Sequence, residues 1–238
     1  MNFTLFLNSR KRIRLLDNFL FSVQQTTKDL NNIEILIRYD DDDHETEEYS
    51  TADFPFSVKF SKGQRLTNLI ASFNEMARAA KGENLFVCND DIQILTPGWD
   101  QIALEKISAY KKNNNIKDNI YYCRTDCNSI DRDQTKGYCS FPIISKECVN
   151  VLGFFMYDKF VGLGGDSSIY LLYNAIDRVI DIPEIKIDHI LHRNLSLVHS
   201  PDETALQMRI NTSNNFVDPY TFNIEKEVAI LKKHISKY

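Results

Sequence analysis

Apolar and polar positions follow two different periods along the chain. Phe3 to Leu7 is a short apolar run that stops at Asn8-Ser9, as a buried strand does. Ile13, Leu16, Leu20 and Val23 then recur at helical spacing, which predicts an amphipathic helix from Lys11 to about Thr27. Ile33 to Tyr39 is a second apolar, β-branched strand, and it ends abruptly at Asp40-Asp41-Asp42-Asp43. Phe56 to Phe60 predicts a third strand. Leu66, Leu69, Ile70, Phe73, Met76 and Ala77 mark a second helix, ending near Lys81-Gly82. Leu85 to Cys88 is a fourth strand that runs straight into Asn89-Asp90-Asp91, and Pro97-Gly98 opens a helix from about Trp99 to Lys112.

The second half is less regular. Asn119 to Arg124 and Tyr138 to Ile144 read as strands, and Ser145 as the N-cap of a short helix carrying Glu147 and Val149. Asp166 to Ile176 is a helix, Ile180 to Ile190 is extended and interrupted at Pro183, and Ile224 to Ile235 is an amphipathic helix. The order is mainly βαβ, so the expected class is α/β, a mostly parallel central sheet flanked by helices. No repeat or low-complexity linker divides the chain. A single domain over residues 1–195 is expected, with a helical extension, 196–238, packed on it. Such sheets bind ligands at the carboxyl ends of their strands. Three strand ends here carry polar clusters: Asn8-Ser9-Arg10, the Asp40 run and Asn89-Asp90-Asp91.

Composition adds exclusions. The 238 residues carry 28 Lys plus Arg against 33 Asp plus Glu, a formal charge of -5, with 43% apolar residues. That balance excludes a disordered or collagen-like chain and argues against tight nucleic-acid binding. No apolar run is long enough to span a bilayer. The apolar Phe3 to Leu7 precedes the basic Arg10 to Arg14, the reverse of a signal peptide. Five Cys, odd in number and without a CxxC pair, indicate neither a disulfide framework nor a zinc knuckle; a reducing cytoplasm is expected.

Paired carboxylates at a buried strand end need a cation or donors beside them, so Asp90-Asp91 suits a metal and diphosphate site. The same triplet also fits a polar turn in which Asp91 caps the next element. The run Asp40 to Asp43, with Glu45, Glu47 and Glu48, reads as a solvated acidic loop whose first member alone stands at a strand end. Gly162-Leu163-Gly164-Gly165-Asp166 holds three of the eight glycines, just before a helix whose dipole favours the Asp166 carboxylate. It also fits a simple N-capping Asp. His189 and His192 could ligate a metal or carry protons, or be surface histidines. Arg10, Lys11, Arg12 and Arg14 could meet phosphates or form one solvated helix face.

These pieces, in this order, resemble the GT-A nucleotide-sugar glycosyltransferases, in particular the large family-2-like group. The opening strand and Asn-Arg segment correspond to Phe3 to Arg10. The family's "(N)IEIIVVDD" strand corresponds to Asn32-Ile33-Glu34-Ile35-Leu36-Ile37-Arg38-Tyr39-Asp40, with Asp40 at the second Asp and Tyr39 replacing the first. An Asn-containing helix, Asn74-Glu75-Met76-Ala77, leads through Gly82-Glu83 into the DXD strand. There Asn89 replaces the first acid and Asp91 keeps the last. The later "F-x-GYGED" segment corresponds to Phe160 to Asp166, with Gly165 where Glu is common. The resemblance covers roughly residues 3 to 195.

It implies an inverting glycosyltransferase that uses Mn²⁺ or Mg²⁺ and a nucleoside diphosphate sugar, a UDP-sugar foremost, with a glycan or small molecule as acceptor. Asn8, Arg10, Asp40, Arg65, Asn89 and Asp90 would bind the donor. Asp91, with His189 or His192, would bind the metal, and Asp166 would be the catalytic base. The setting implied is the cytoplasm, the host's if the source is viral. Two rivals stay open: a GT-A-like domain that binds sugar nucleotides or glycans without turnover, and a nucleotidyltransferase. The latter would want a Gly-rich loop after the first strand, where Ser9-Arg10-Lys11-Arg12 has no Gly.

Overall fold

A computed structural model describes residues 1–65, 68–127, 137–160, 164–190 and 217–238. Strand β1 (Phe3–Asn8) leads into helix α1 (Ile13–Thr26), then β2 (Ile33–Asp40), α2 (His44–Tyr49), β3 (Ser57–Gly63), α3 (Leu69–Ala79) and β4 (Asn84–Val87). Then come β5 (Ile92–Ile94), α4 (Trp99–Asn113), β6 (Tyr122–Cys127), β7 (Ile143–Ser145), α5 (Lys146–Leu152), α6 (Gly165–Asn174), β8 (Val179–His189) and α7 (Glu225–Ile235). One sheet runs in the order β3-β2-β1-β4-β7-β6-β8-β5. The pairs β3–β2, β2–β1, β1–β4 and β6–β8 are parallel; β4–β7, β7–β6 and β8–β5 are antiparallel.

Alternate side chains of each central strand feed two cores, one on each face of the sheet. Phe3, Leu5, Leu7, Ile33, Ile35, Ile37 and Phe86 pack with Leu16, Phe19, Leu20 and Val23 of α1 and with Trp99, Ala103 and Ile107 of α4. Phe6, Leu36, Leu85 and Val87 face the other way, onto α3, α5 and α6. Leu231 of α7 is fully buried in that second core, and His234 pairs with Glu147 of α5 at 2.6 Å.

The helix expected from Leu66 starts at Leu69, where Asn68 accepts a capping hydrogen bond from the Ile70 amide at 2.8 Å; residues 66 and 67 lie outside the described set. The strand expected from Tyr138 shrinks to Ile143–Ser145. Pro183 interrupts pairing without ending the strand. Thr125 pairs with Ile182 but Asp126 with Lys186, so β8 bulges at the residue that has no N–H to give. Two elements were not legible as patterns: the three-residue β5, and α2 inside the acidic stretch.

Candidate active site

The parallel register sets the ends of β1, β2 and β4 side by side. Asn8 pairs with Arg38 and Phe6 with Val87, and the Ser9 amide donates to the Arg38 carbonyl at 3.0 Å. Residues 8–12, 38–43 and 88–91 therefore meet at one rim of the sheet. The loop from Ser9 to Arg12 bridges the two acidic ends. Ser9 Oγ donates to Asp90 Oδ2 at 3.0 Å, and Arg12 Nη1 to Asp90 Oδ1 at 3.2 Å, with Asp91 Oδ2 3.9 Å away. Arg10 Nη1 donates to Asp40 Oδ2 at 3.3 Å, and the same guanidinium makes a two-pronged pair with Asp42. Between them Lys11 takes a left-handed backbone (φ 51°), unusual for a side-chain-bearing residue, and its amide donates to Asp43 Oδ2 at 2.7 Å. Neighbouring arginines are thereby tied to different strand ends.

On β2, Arg38 and Asp40 share a face and pair at 2.7 Å, both buried. Gly63 makes room for this guanidinium: a Cβ there would come within 2.8 Å of Arg38 Nη2. Asp40 thus has a guanidinium on each oxygen. The Arg10 hydrogen bonds hold the exposed Asp42 carboxyl down at about 2, and Arg65 adds to that field. The acidic run is not one solvated loop. Asp41 and Asp42 are exposed, but Asp43 is buried and caps α2, accepting from the Thr46 amide at 3.1 Å and its hydroxyl at 2.6 Å.

At the end of β4, Asn89 is half-buried, and Asp90 and Asp91 are 3% and 5% exposed. Burial pushes the Asp90 carboxyl up to about 6; Arg12 opposes the rise and the Asp91 charge adds to it. Strand β5 supplies a contact that sequence reasoning could not place. It pairs Ile92 with His189, and the Ile190 amide donates to the Asp91 carbonyl at 2.9 Å. His189 Nε2 then stands 3.4 Å from Asp91 Oδ1, a buried oxygen that accepts no hydrogen bond among the described residues. The ring of Phe141 holds the imidazole edge-on at 5.1 Å. His192, Gly162 and Leu163 lie outside the described residues. Among the described residues, no three His, Cys, Asp or Glu side chains converge to hold a metal.

Asn8 is held by Ser72 of α3, whose hydroxyl donates to Asn8 Oδ1 at 2.7 Å; Asn8 Nδ2 is buried without a partner among the described residues. Asp166 is the second residue of α6, behind Gly164 in a left-handed conformation (φ 93°), and accepts from the Ser167 amide at 2.8 Å. Gly165 presses this helix start onto α3: a Cβ there would lie 3.0 Å from Ile70 Cδ1 and 3.2 Å from Met156 Sδ. The Asp166 helix and the Asn8 anchor therefore share the first turns of α3. Sequence reasoning placed Ser9 in a strand-end polar cluster without giving it a role, and it missed Ser72 and Arg38. Only Arg38 left a signal, a charge inside an apolar run two residues before Asp40, hence on its face.

No protein-family model matches the chain, and no curated protein matches its sequence. Solved structures do. Staphylococcus aureus TarS superposes with a TM-score of 0.61 at 9% identity, covering 95% of this chain. Its 1–349 fragment in complex with UDP-GlcNAc gives 0.60 at 11%, covering 99% of this chain and 73% of the fragment. The mannosyltransferase PcManGT of Pyrobaculum calidifontis, in complex with GDP-Man and Mn²⁺, gives 0.57 at 10%, covering 99% and 80%. The fold is GT-A. The chain spans 45% of the length of the TarS chain. The likeness shows the fold alone; the general rule for open α/β sheets is that ligands bind at the carboxyl ends of the strands, and Asn8, Asp40 and Asp91 stand at those ends. No helix among the described residues is long and apolar enough to cross a membrane.

Proposed function

We propose that this chain is an inverting, divalent-cation-dependent glycosyltransferase, moving a sugar from a nucleoside diphosphate sugar to an acceptor hydroxyl. The observation that carries the reading is the buried Asp91 Oδ1, without a hydrogen bond among the described residues, beside His189 at a strand end. A carboxylate oxygen next to an imidazole nitrogen is a donor pair suited to Mn²⁺ or Mg²⁺, with diphosphate oxygens and water completing the shell. Asp91 and His189 would hold the cation, and His192 is the further candidate. When bound, such a cation offsets charge on a departing diphosphate.

The chain's own residues would do the rest. Asp40, fixed by two guanidiniums, presents its remaining lone pairs to the nucleoside, with Asn8 Nδ2 as a donor and Arg65 at the exposed side. Asn89 and Asp90 face the ribose, and Arg10 the phosphates. Asp166, stabilised as a carboxylate by the start of α6, takes the proton of the acceptor hydroxyl as that oxygen attacks the anomeric carbon. A single displacement inverts that centre. Residues 1–195 would form the catalytic domain and 196–238 an extension packed on it, and the acceptor is a glycan or small molecule. Donors of the kinds found in the neighbouring structures, UDP- and GDP-sugars, are the ones to try first.

The test is to incubate the protein with UDP- and GDP-sugars and Mn²⁺, with and without a saccharide acceptor mixture, and to identify what is released. Nucleoside diphosphate is the expected product. Pyrophosphate would indicate nucleotidyl transfer, and tight binding with no release would leave a binding domain.

A further inference from the structure

Asp90 and Asp91 are adjacent buried carboxylates, and one guanidinium serves both: Arg12 Nη1 is 3.2 Å from Asp90 and 3.9 Å from Asp91. Two like charges at a buried strand end need a counter-ion. The rest of the loop is fixed without Arg12, through Ser9 to Asp90, Arg10 to Asp40 and Asp42, and the Lys11 amide to Asp43. The Arg12 side chain is 36% exposed, against 12% for Arg10. The Arg12 side chain is thus open to an incoming ligand, and the loop's other ties do not run through it. A guanidinium and a divalent cation repel each other across shared carboxylates, whereas a guanidinium pairs well with phosphate oxygens in two-pronged fashion.

Resting on the metal and diphosphate reading above, we propose that Arg12 is an internal counter-cation that couples the two ligands. In the ligand-free protein it neutralises Asp90 and Asp91; an incoming diphosphate draws it off and opens the acids to the divalent cation. Metal and diphosphate then bind with positive cooperativity, and the coupling is reciprocal. Arg12 is a positioning residue here, acting through the acids.

The two halves are measured apart, because diphosphates chelate metal in solution. Mn²⁺ alone is titrated by electron paramagnetic resonance, and inorganic pyrophosphate in EDTA by calorimetry, on wild type and Arg12→Met. Arg12→Met is expected to bind Mn²⁺ alone at least about tenfold more tightly, and metal-free pyrophosphate at least about tenfold more weakly. Arg12→Lys, which keeps the charge but loses the fork, should fall between, and it serves as the test if Arg12→Met unfolds. Unchanged or weaker Mn²⁺ binding in these variants overturns the proposal, as does unchanged pyrophosphate affinity. Asp91→Asn in the same Mn²⁺ titration separates this from the site reading. If it leaves Mn²⁺ binding intact, the metal assignment fails whatever Arg12 does.

Discussion

The parallel strands β2, β1 and β4 carry a buried acid cluster at each end, Glu34 near the start of β2 and Asp90-Asp91 after β4, and the two clusters are built differently. At the amino end, Glu34 is fully buried, and every oxygen is used. Thr4 Oγ1 donates to Oε1 at 2.8 Å, the Lys81 amide donates to the same oxygen, and Lys59 Nζ reaches Oε2 at 2.8 Å. Gly82 closes the cluster by donating its amide to Thr4 Oγ1. It passes so near that a Cβ would meet the Phe3 carbonyl carbon at 2.4 Å. At the carboxyl end, Asp90 and Asp91 are almost as buried but incompletely satisfied: among the described residues Asp91 Oδ1 accepts no hydrogen bond, and the counter-ion is the partly exposed Arg12. A satisfied buried acid holds the fold. An unsatisfied one at a ligand-binding rim is held ready for something else.

The largest expected difference is in stability. Glu34→Ala leaves the Lys81 amide and Thr4 hydroxyl unpaired in the interior and should cost about 2–4 kcal/mol by denaturant unfolding. Asp91→Asn should cost less than about 1 kcal/mol while removing metal-dependent nucleotide binding, because it takes away no hydrogen bond that the fold uses. Equal destabilisation by both would erase the distinction. Next in size is catalysis. Asp166→Asn keeps shape but loses basicity, and should lower transfer by at least about 10²-fold with donor affinity near normal; near-normal transfer would exclude Asp166 as the base.

The pH dependence of stability should have opposite signs at the two ends. Burial opposes ionisation of Glu34, but its Lys59, Lys81 and Thr4 hydrogen bonds outweigh that and hold the carboxyl below the ordinary range. Its contribution is full at neutral pH and is lost as pH falls through its lowered pKa, below 4.5. Asp90 is raised from 3.8 to about 6, so the folded state holds that proton more tightly, and stability falls as pH rises across this window. Relative to wild type, Glu34→Gln should lose most above pH 4.5, and Asp90→Asn should gain as pH rises from 3.8 to about 6 and level off beyond. Two curves of the same sign would contradict the comparison. Smallest are the exposed and capping acids. Asp43→Ala should cost about 1 kcal/mol through the lost α2 cap, and Asp42→Ala should leave the thermal unfolding midpoint essentially unchanged.

The central strands and the helices that cover them were legible because their apolar periods are clean: Phe3 to Leu7, Ile33 to Tyr39, and the Leu16-Leu20-Val23 stripe all lie where they were expected. Strand β5 was not, since three residues are too few to show a period, and its pairing with β8 is non-local. That pairing is what puts His189 beside Asp91, so a contact central to the site was invisible even though both residues were named. Helix α2 was hidden because its acids imitate a solvated loop, and only the buried cap at Asp43 shows otherwise. Ser9 and Ser72 carry no chemical signature in sequence; their roles come wholly from what the register places opposite them.

The most direct measurement is calorimetric titration of UDP and GDP into wild type and Asp91→Asn, each with Mn²⁺ and with EDTA. The expected result is that one nucleotide binds wild type more tightly with Mn²⁺ and that Asp91→Asn loses this gain. Binding of neither nucleotide to wild type, or a gain from Mn²⁺ that survives in Asp91→Asn, would contradict the assignment of this strand end as a nucleoside diphosphate site.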